Sequence, residues 1–203
     1  SEDGYQATLA SEMGEFHERL SSTKDSSITT MEAIYVPNDD ILDQGVQSIF
    51  PYLDSTIVLS RNVYQQGFLP AIDILSSVSS TINPELVGKF HYDTVLAAQN
   101  LLKQALALER IASLVGESEL STDDKAIYDR AKKLRAYMTQ SFFVAETQTG
   151  RPGKYVPLKT TIQDVSDIIA GKYDDIGDDQ KFMFVGQASE ARDQKTDEQP
   201  TSK

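Results

Sequence analysis

A helical hairpin in the second half of the chain is the feature any fold must accommodate. From His91 to Val115 apolar residues recur near three- and four-residue spacing, at Val95, Leu102, Leu106 and Leu108–Ile111, the period of a helix with one buried face. Gly116 stops that run. Ser121 then reads as the cap of a second helix, with Asp124 three residues on supplying the acid that a first turn favours. This second helix is expected to reach about Met138 and to close on Lys132, Lys133 and Arg135, the charge sign that suits a helix C-terminus. Asn83 and Pro84 form a helix start upstream, and a third helix is expected over about Lys159–Ala170, ended by Gly171. Phe182, Met183 and Phe184 read as a small apolar plug before a last short helix from Gln187, and 193–203 as a polar tail.

The first part of the chain has a different texture. Ile28–Val36 is rich in β-favouring residues and closed by Pro37, so it reads as a strand. Ser55–Leu59 reads as a second strand on Thr56, Ile57 and Val58. Leu9 and Met13 sit at helical spacing with Gly14 interrupting, and Phe16–Leu20 extends a short helix. Gly45 and Pro51 break the stretch between the strands, and the composition changes near Ser80–Pro84. A strand-bearing part over 1–83 followed by a helical part over 84–192 is the expected organisation.

Charge and composition exclude several classes. The net charge is -12, which argues against broad binding to nucleic acid or an anionic membrane. The excess is concentrated in residues 1–83, with twelve acids against three bases. There is no cysteine, so disulfides, thiolate nucleophiles and cysteine-ligated metals are excluded. His17 and His91 leave little material for an imidazole cluster. No run approaches the roughly eighteen apolar residues of a membrane helix.

Few residues stand out as chemistry. Asp39 and Asp40 follow a strand end, where open α/β sheets place ligands, yet adjacent acids on extended backbone point to opposite sides. Asp54 and Arg61 flank the second strand and suit a salt bridge or an arginine reaching toward phosphate. Gly150–Gly153 has no lysine at phosphate-loop spacing and reads as a turn. No residue is assigned a catalytic role, and none is assigned as a metal ligand. Phe142, Phe143, Phe182 and Phe184 read as core. The bend between the two long helices, GESELSTDDK, exposes Glu117, Glu119, Asp123 and Asp124, which suits either a solvated hairpin tip or a contact surface for a basic partner.

Several runs, in order, resemble a known family: GYQATLASEMG at Gly4–Gly14, ERLSSTKDSSIT at Glu18–Thr29, AIYVPNDD at Ala33–Asp40 and YLDSTIVLSR at Tyr52–Arg61. They continue with HYD at His91–Asp93, SELSTDDK at Ser118–Lys125, FFVAETQTG at Phe142–Gly150, KYVPLKTTI at Lys154–Ile162 and AGKYDDI at Ala170–Ile176. On these runs the chain resembles the C-terminal part of the beta subunit of F-type ATP synthases.

The resemblance implies an α/β fragment of a RecA-like nucleotide-binding domain followed by an all-α C-terminal helical domain. It implies a rotary motor in which this part couples nucleotide state to rotation of a central stalk, with ATP hydrolysis or synthesis only in the complete, assembled subunit. The chain would begin inside the central domain, after the phosphate-binding loop and the catalytic base. The implied cofactors, Mg2+ and ATP or ADP, belong to the full assembly. The implied partners are alpha-like subunits, a gamma-like stalk subunit and the missing N-terminal part of the beta-like subunit, with no nucleic acid. The membrane is met only indirectly, from a cytoplasmic or matrix-side position. Positions implied to face the nucleotide are Phe68, Leu69, Phe142 and Gln148; Leu69 and Gln148 stand where the family has aromatic residues, and Ser80 where it has an arginine. Asp39, Asp40 and Arg61 would lie near a subunit contact or the nucleotide. Ser118, Glu119, Leu120, Ser121, Thr122, Asp123 and Asp124 replace the family's DELSEED loop and would meet the stalk. The alternatives are a non-catalytic structural or assembly subunit of a motor-like ring, or a helical protein-interaction module.

Overall fold

The computed structural model describes residues 4–193, so most of the tail expected over 193–203 lies outside the described residues. The described residues fall into two compact units, one within residues 4–56 and 78–80, the other within residues 57–77 and 81–193. In outline an α/β region precedes a mostly helical domain.

The first unit contains helix α1 (Leu9–Glu18), the short helix α2 (Gln44–Gln47) and a two-residue antiparallel ladder of β1 (Ser55–Thr56) with β2 (Val78–Ser79), in register Ser55 to Ser79 and Thr56 to Val78. Asp43 organises its centre. One carboxylate oxygen accepts the N–H groups of Gly45 and Val46, which caps α2, and also the hydroxyl of Tyr5 at 2.9 Å. Gly14 does not interrupt α1. The helix runs through it, and the missing side chain leaves room for Tyr52, whose hydroxyl would lie 3.1 Å from a Cβ there. The strand expected at Ile28–Val36 is absent: the segment has β-favouring residues but no ladder partner among the described residues. Strand propensity expresses pairing and packing, and without a neighbouring strand it has nothing to act on.

The second unit opens with α3 (Arg61–Gln65), held by Ser60 at its cap, and a return segment whose Leu59 and Ile72 form an antiparallel bridge. The helical domain follows: α4 (Pro84–Val87), α5 (Lys89–Val115), α6 (Thr122–Tyr137), α7 (Glu146–Thr149) and α8 (Leu158–Ile169). The Asn83 side chain accepts the N–H of Leu86 with Pro84 in the first turn. Gly88, at φ +83°, turns the chain into α5, a conformation glycine adopts without Cβ strain.

The core explains the long helices. α5 buries Ala98, Leu101, Leu102 and Ala105, one face at three- and four-residue intervals. α6 sets Ala131, Leu134, Ala136 and Tyr137 against it, α8 adds Val165 and Ile168, and Phe182, Val185, Ala188 and Ala191 close the bottom. Phe182 is fully buried with its ring edge-on to Tyr173, while Phe142 and Phe143, expected in the core, are exposed because they follow the end of α6 and precede α8.

The C-terminus of α8 ends in a basic clasp. Arg130 donates to the Ile169 carbonyl and to both oxygens of Asp174, buried Lys133 donates to the Tyr173 carbonyl at 3.0 Å, and Arg192 donates to the Lys172 carbonyl and pairs with Asp175. The Ile169 carbonyl, left open by the helix end, is thereby satisfied by a cation, as are the carbonyls of Lys172 and Tyr173 in the turn beyond it, and positive charge suits the negative end of the helix dipole. The run AGKYDDI is accordingly a structural motif here.

Candidate functional site

The bend between α5 and α6 is exposed and locally braced. Gly116, at φ +98°, ends α5. The Ser121 hydroxyl accepts the N–H of Asp124 at 3.1 Å and donates to its carboxylate, the cap expected from the residue order. Glu117 reaches back to Lys132 on α6 at 2.7 Å. Partial burial works against the Lys132 ammonium, but the bond to Glu117 and the neighbouring negative charge outweigh it and its pKa rises. Ser118, Glu119, Ser121, Thr122 and Asp123 face solvent, with Leu120 and Asp124 half-buried. The apolar side chains of Leu114 and Val115 are exposed at the same end.

Along the body of the hairpin lies an open cavity of about 810 Å3, walled by α5, α6, α3 and the return segment through Ile72–Ser76. Its charged lining comprises Asp73, Glu109, Lys132, Arg135 and Asp179. The Arg135 guanidinium sits 4.9 Å from the centre of the Phe68 ring, donates to the Gln66 side chain and lies 4.0 Å from Glu109. Lys132 covers the ring of Tyr128, whose phenol is pushed upward mainly by burial. Lys132 and Arg135 are three residues apart on one helix face, and that spacing is the sequence signal that could have singled them out.

Of the four nucleotide-facing candidates, Phe68 lines this cavity and Leu69, Phe142 and Gln148 do not. Leu69 is half-buried and its carbonyl accepts the N–H of Gln140; Phe142 and Gln148 are exposed. Asp39 and Asp40 belong to the first unit. Asp39 has a positive φ of 60°, and Asp40 accepts the N–H of Leu42 at 2.9 Å in a local turn. Arg61 is exposed at the start of α3 in the second unit. Among the described residues no group of three or more His, Asp or Glu side chains gathers as a metal site, and no helix is long and apolar enough to cross a membrane.

Residues 1–79 match the model of the ATP synthase alpha/beta family, nucleotide-binding domain, and residues 80–176 match that of the C-terminal domain of V and A type ATP synthase. The chain belongs to the rotary ATP synthase family, on the V and A type branch. A solved ATP synthase subunit described as unique, NeqB from Nanoarcheaum equitans, shares the fold at TM-score 0.73 with 23% identity, over 85% of this chain and 42% of that one. The chain thus spans less than half of that protein.

These matches correct the F-type beta resemblance and the beta-subunit vocabulary attached to it. The match over residues 80–176 overturns it. The most extensive shared runs, from Gly4 to Arg61, fall where the matched model describes the alpha/beta family as a whole and does not separate its types. Leu69, Ser80 and Gln148 therefore do not count as losses from an F-type pattern.

Proposed function

We propose that this region serves a V/A-type rotary ATP synthase as a contact and lever element of a ring subunit, with no chemical step of its own. The observation that carries the reading is the α5–α6 hairpin, rooted in the helical core and ending in an acidic tip braced by Ser121 and by Glu117–Lys132. A braced tip transmits displacement, whereas a frayed one absorbs it. Its acids and the exposed Leu114 and Val115 suit a partner surface of mixed basic and apolar character. Neighbouring ring subunits and a rotating stalk are the partners this reading names. Mg2+ with ATP or ADP belongs to the assembled complex, and the Asp40 carboxylate here is engaged by the Leu42 backbone.

The test is co-expression of the full chain with the other ring and stalk subunits of its source, read by native mass spectrometry and by equilibrium dialysis against MgATP. Retention in the assembly, weakened by Glu119→Lys with Asp123→Lys, is the expected result. Stoichiometric MgATP binding and turnover by the chain without partners overturns the reading.

A further inference from the structure

The first unit has little apolar packing. Val46 is its one buried hydrophobic side chain among the described residues, and α1 buries none. Among the contacts that hold α1 is a small set of polar and ring contacts centred on His17, whose side chain is 8% exposed. Nδ1 lies 2.7 Å from the carbonyl oxygen of Met13, and Nε2 lies 3.2 Å from a carboxylate oxygen of Glu32. A carbonyl and a carboxylate only accept hydrogen bonds, and a neutral imidazole has a single N–H. A neutral ring would bond one oxygen and turn a lone pair toward the other. Both contacts are made together only by the imidazolium.

The surroundings fit that charge. The ring stacks on Tyr52 with centroids 4.4 Å apart and planes 9° apart, and Phe16 meets it edge-on at 5.1 Å. A cation over an aromatic face is attracted by the ring quadrupole. The titratable groups facing His17 are Glu32, from the extended segment, and the phenol-bearing ring of Tyr52; its own helix contributes the Met13 carbonyl and Phe16.

We propose that His17 is a protonation-operated pin: as the imidazolium it ties α1 to Glu32 and Tyr52, and on losing its proton it gives up one acceptor and lets α1 loosen from that segment. The bond to the Met13 carbonyl, opposed by burial and helped by Glu32, holds the ring's pKa above the ordinary value of 6.5. The folded value exceeds the unfolded one, so the stabilisation is complete below the ordinary histidine value and is lost as pH rises through the higher one. The pin is independent of the lever reading of the hairpin, because it lies in the other unit.

The test is an imidazole nitrogen NMR titration of the full chain, with His17→Gln identifying which of the two histidine signals is lost. The expected result is a His17 ring protonated on both nitrogens at mildly acid pH, with a midpoint above 6.5. Glu32→Gln shifts that midpoint down. Hydrogen exchange of the α1 amides, corrected for its intrinsic pH dependence, accelerates through the same midpoint in the native chain and shows no such step in His17→Gln. A His17 midpoint at or below the ordinary value overturns the proposal, and so does an exchange step that survives in His17→Gln. The native titration needs no variant to fold.

Discussion

The Tyr137 hydroxyl donates to a carboxylate oxygen of Asp164 at 2.9 Å, and the same oxygen accepts the N–H of Ala188 at 2.8 Å, all inside the helical core. One acid thereby joins α6, α8 and the final helical turn. Removing it strands two donors at once, and an unsatisfied buried donor costs about 1–3 kcal/mol. Asp164→Ala is expected to lower the stability of the domain by about 3 kcal/mol, near the sum of two lesser penalties. Tyr137→Phe, which removes one donor and leaves Ala188 bonded, should cost about 1–2 kcal/mol. Urea unfolding of the two variants checks the ordering.

The same pair predicts a response to alkali. Burial first, then the bond to Asp164 and its charge, pushes the Tyr137 phenol well above its ordinary value of 10. The folded chain therefore holds that proton after the unfolded chain has released it. Stability is unaffected below the ordinary tyrosine value and falls as pH climbs beyond it. Urea midpoints measured across that range should decline in the native chain and decline less steeply in Tyr137→Phe; equal slopes would sink the assignment.

How far the residues announced this arrangement differs between the two units. The start of α6 was readable because Ser121 and Asp124 form a local device, and local devices act within a few residues. The face of α5 was readable because one side of a helix repeats in sequence. The strand expected at Ile28–Val36 does not form, because a strand depends on a neighbour that composition does not specify. The break expected at Gly14 does not occur, because the reason for a glycine there, the approach of Tyr52, comes from residues distant in sequence. The cavity wall of Lys132 and Arg135 carried only a weak signal, three-residue spacing among many charges. Buried Lys133 carried none, since its partner is a backbone carbonyl beyond α8.

Gly171 should resist substitution. Its φ is +84°, and a Cβ there would collide with the Arg130 guanidinium and with an oxygen of Asp174. Gly171→Ala must strain the backbone and also displace the ion pair that clasps the end of α8. A cost of about 1–3 kcal/mol is expected from the left-handed backbone and the displaced partners. A double-mutant cycle with Asp174→Asn separates the two contributions: if the pair is already broken, the glycine substitution should lose part of its cost.

Phe182 should be the most sensitive apolar position of the C-terminal segment. It is 0% exposed and lies edge-on to Tyr173 at 5.7 Å between centroids. Phe182→Ala should cost about 3–5 kcal/mol, because a cavity of that size in a packed interior does not collapse fully. Phe143→Ala, at a side chain 63% exposed, is expected to change stability by about 0.5 kcal/mol or less. Thermal unfolding of the pair distinguishes core from surface aromatic residues in a segment where composition treats them alike.

The hairpin tip offers a way to separate stiffness from charge. Ser121→Ala removes the acceptor for the Asp124 N–H and should cost about 1 kcal/mol, the usual worth of a helix N-cap. Lys132→Gln removes the partner of Glu117; both side chains are roughly a third or more exposed, 30% and 45%, so solvent screening keeps the cost below about 1 kcal/mol. Glu119→Lys touches no brace and should leave stability within about 0.5 kcal/mol. If the tip acts as a braced lever, Ser121→Ala raises amide exchange across residues 117–125 and weakens coupling within the assembly while partner affinity is retained. Glu119→Lys does the reverse: exchange is unchanged and affinity for a basic partner falls. A tip that tolerates both changes with assembly and coupling intact is not the contact this fold presents, and measuring exchange and affinity on the same two variants decides it.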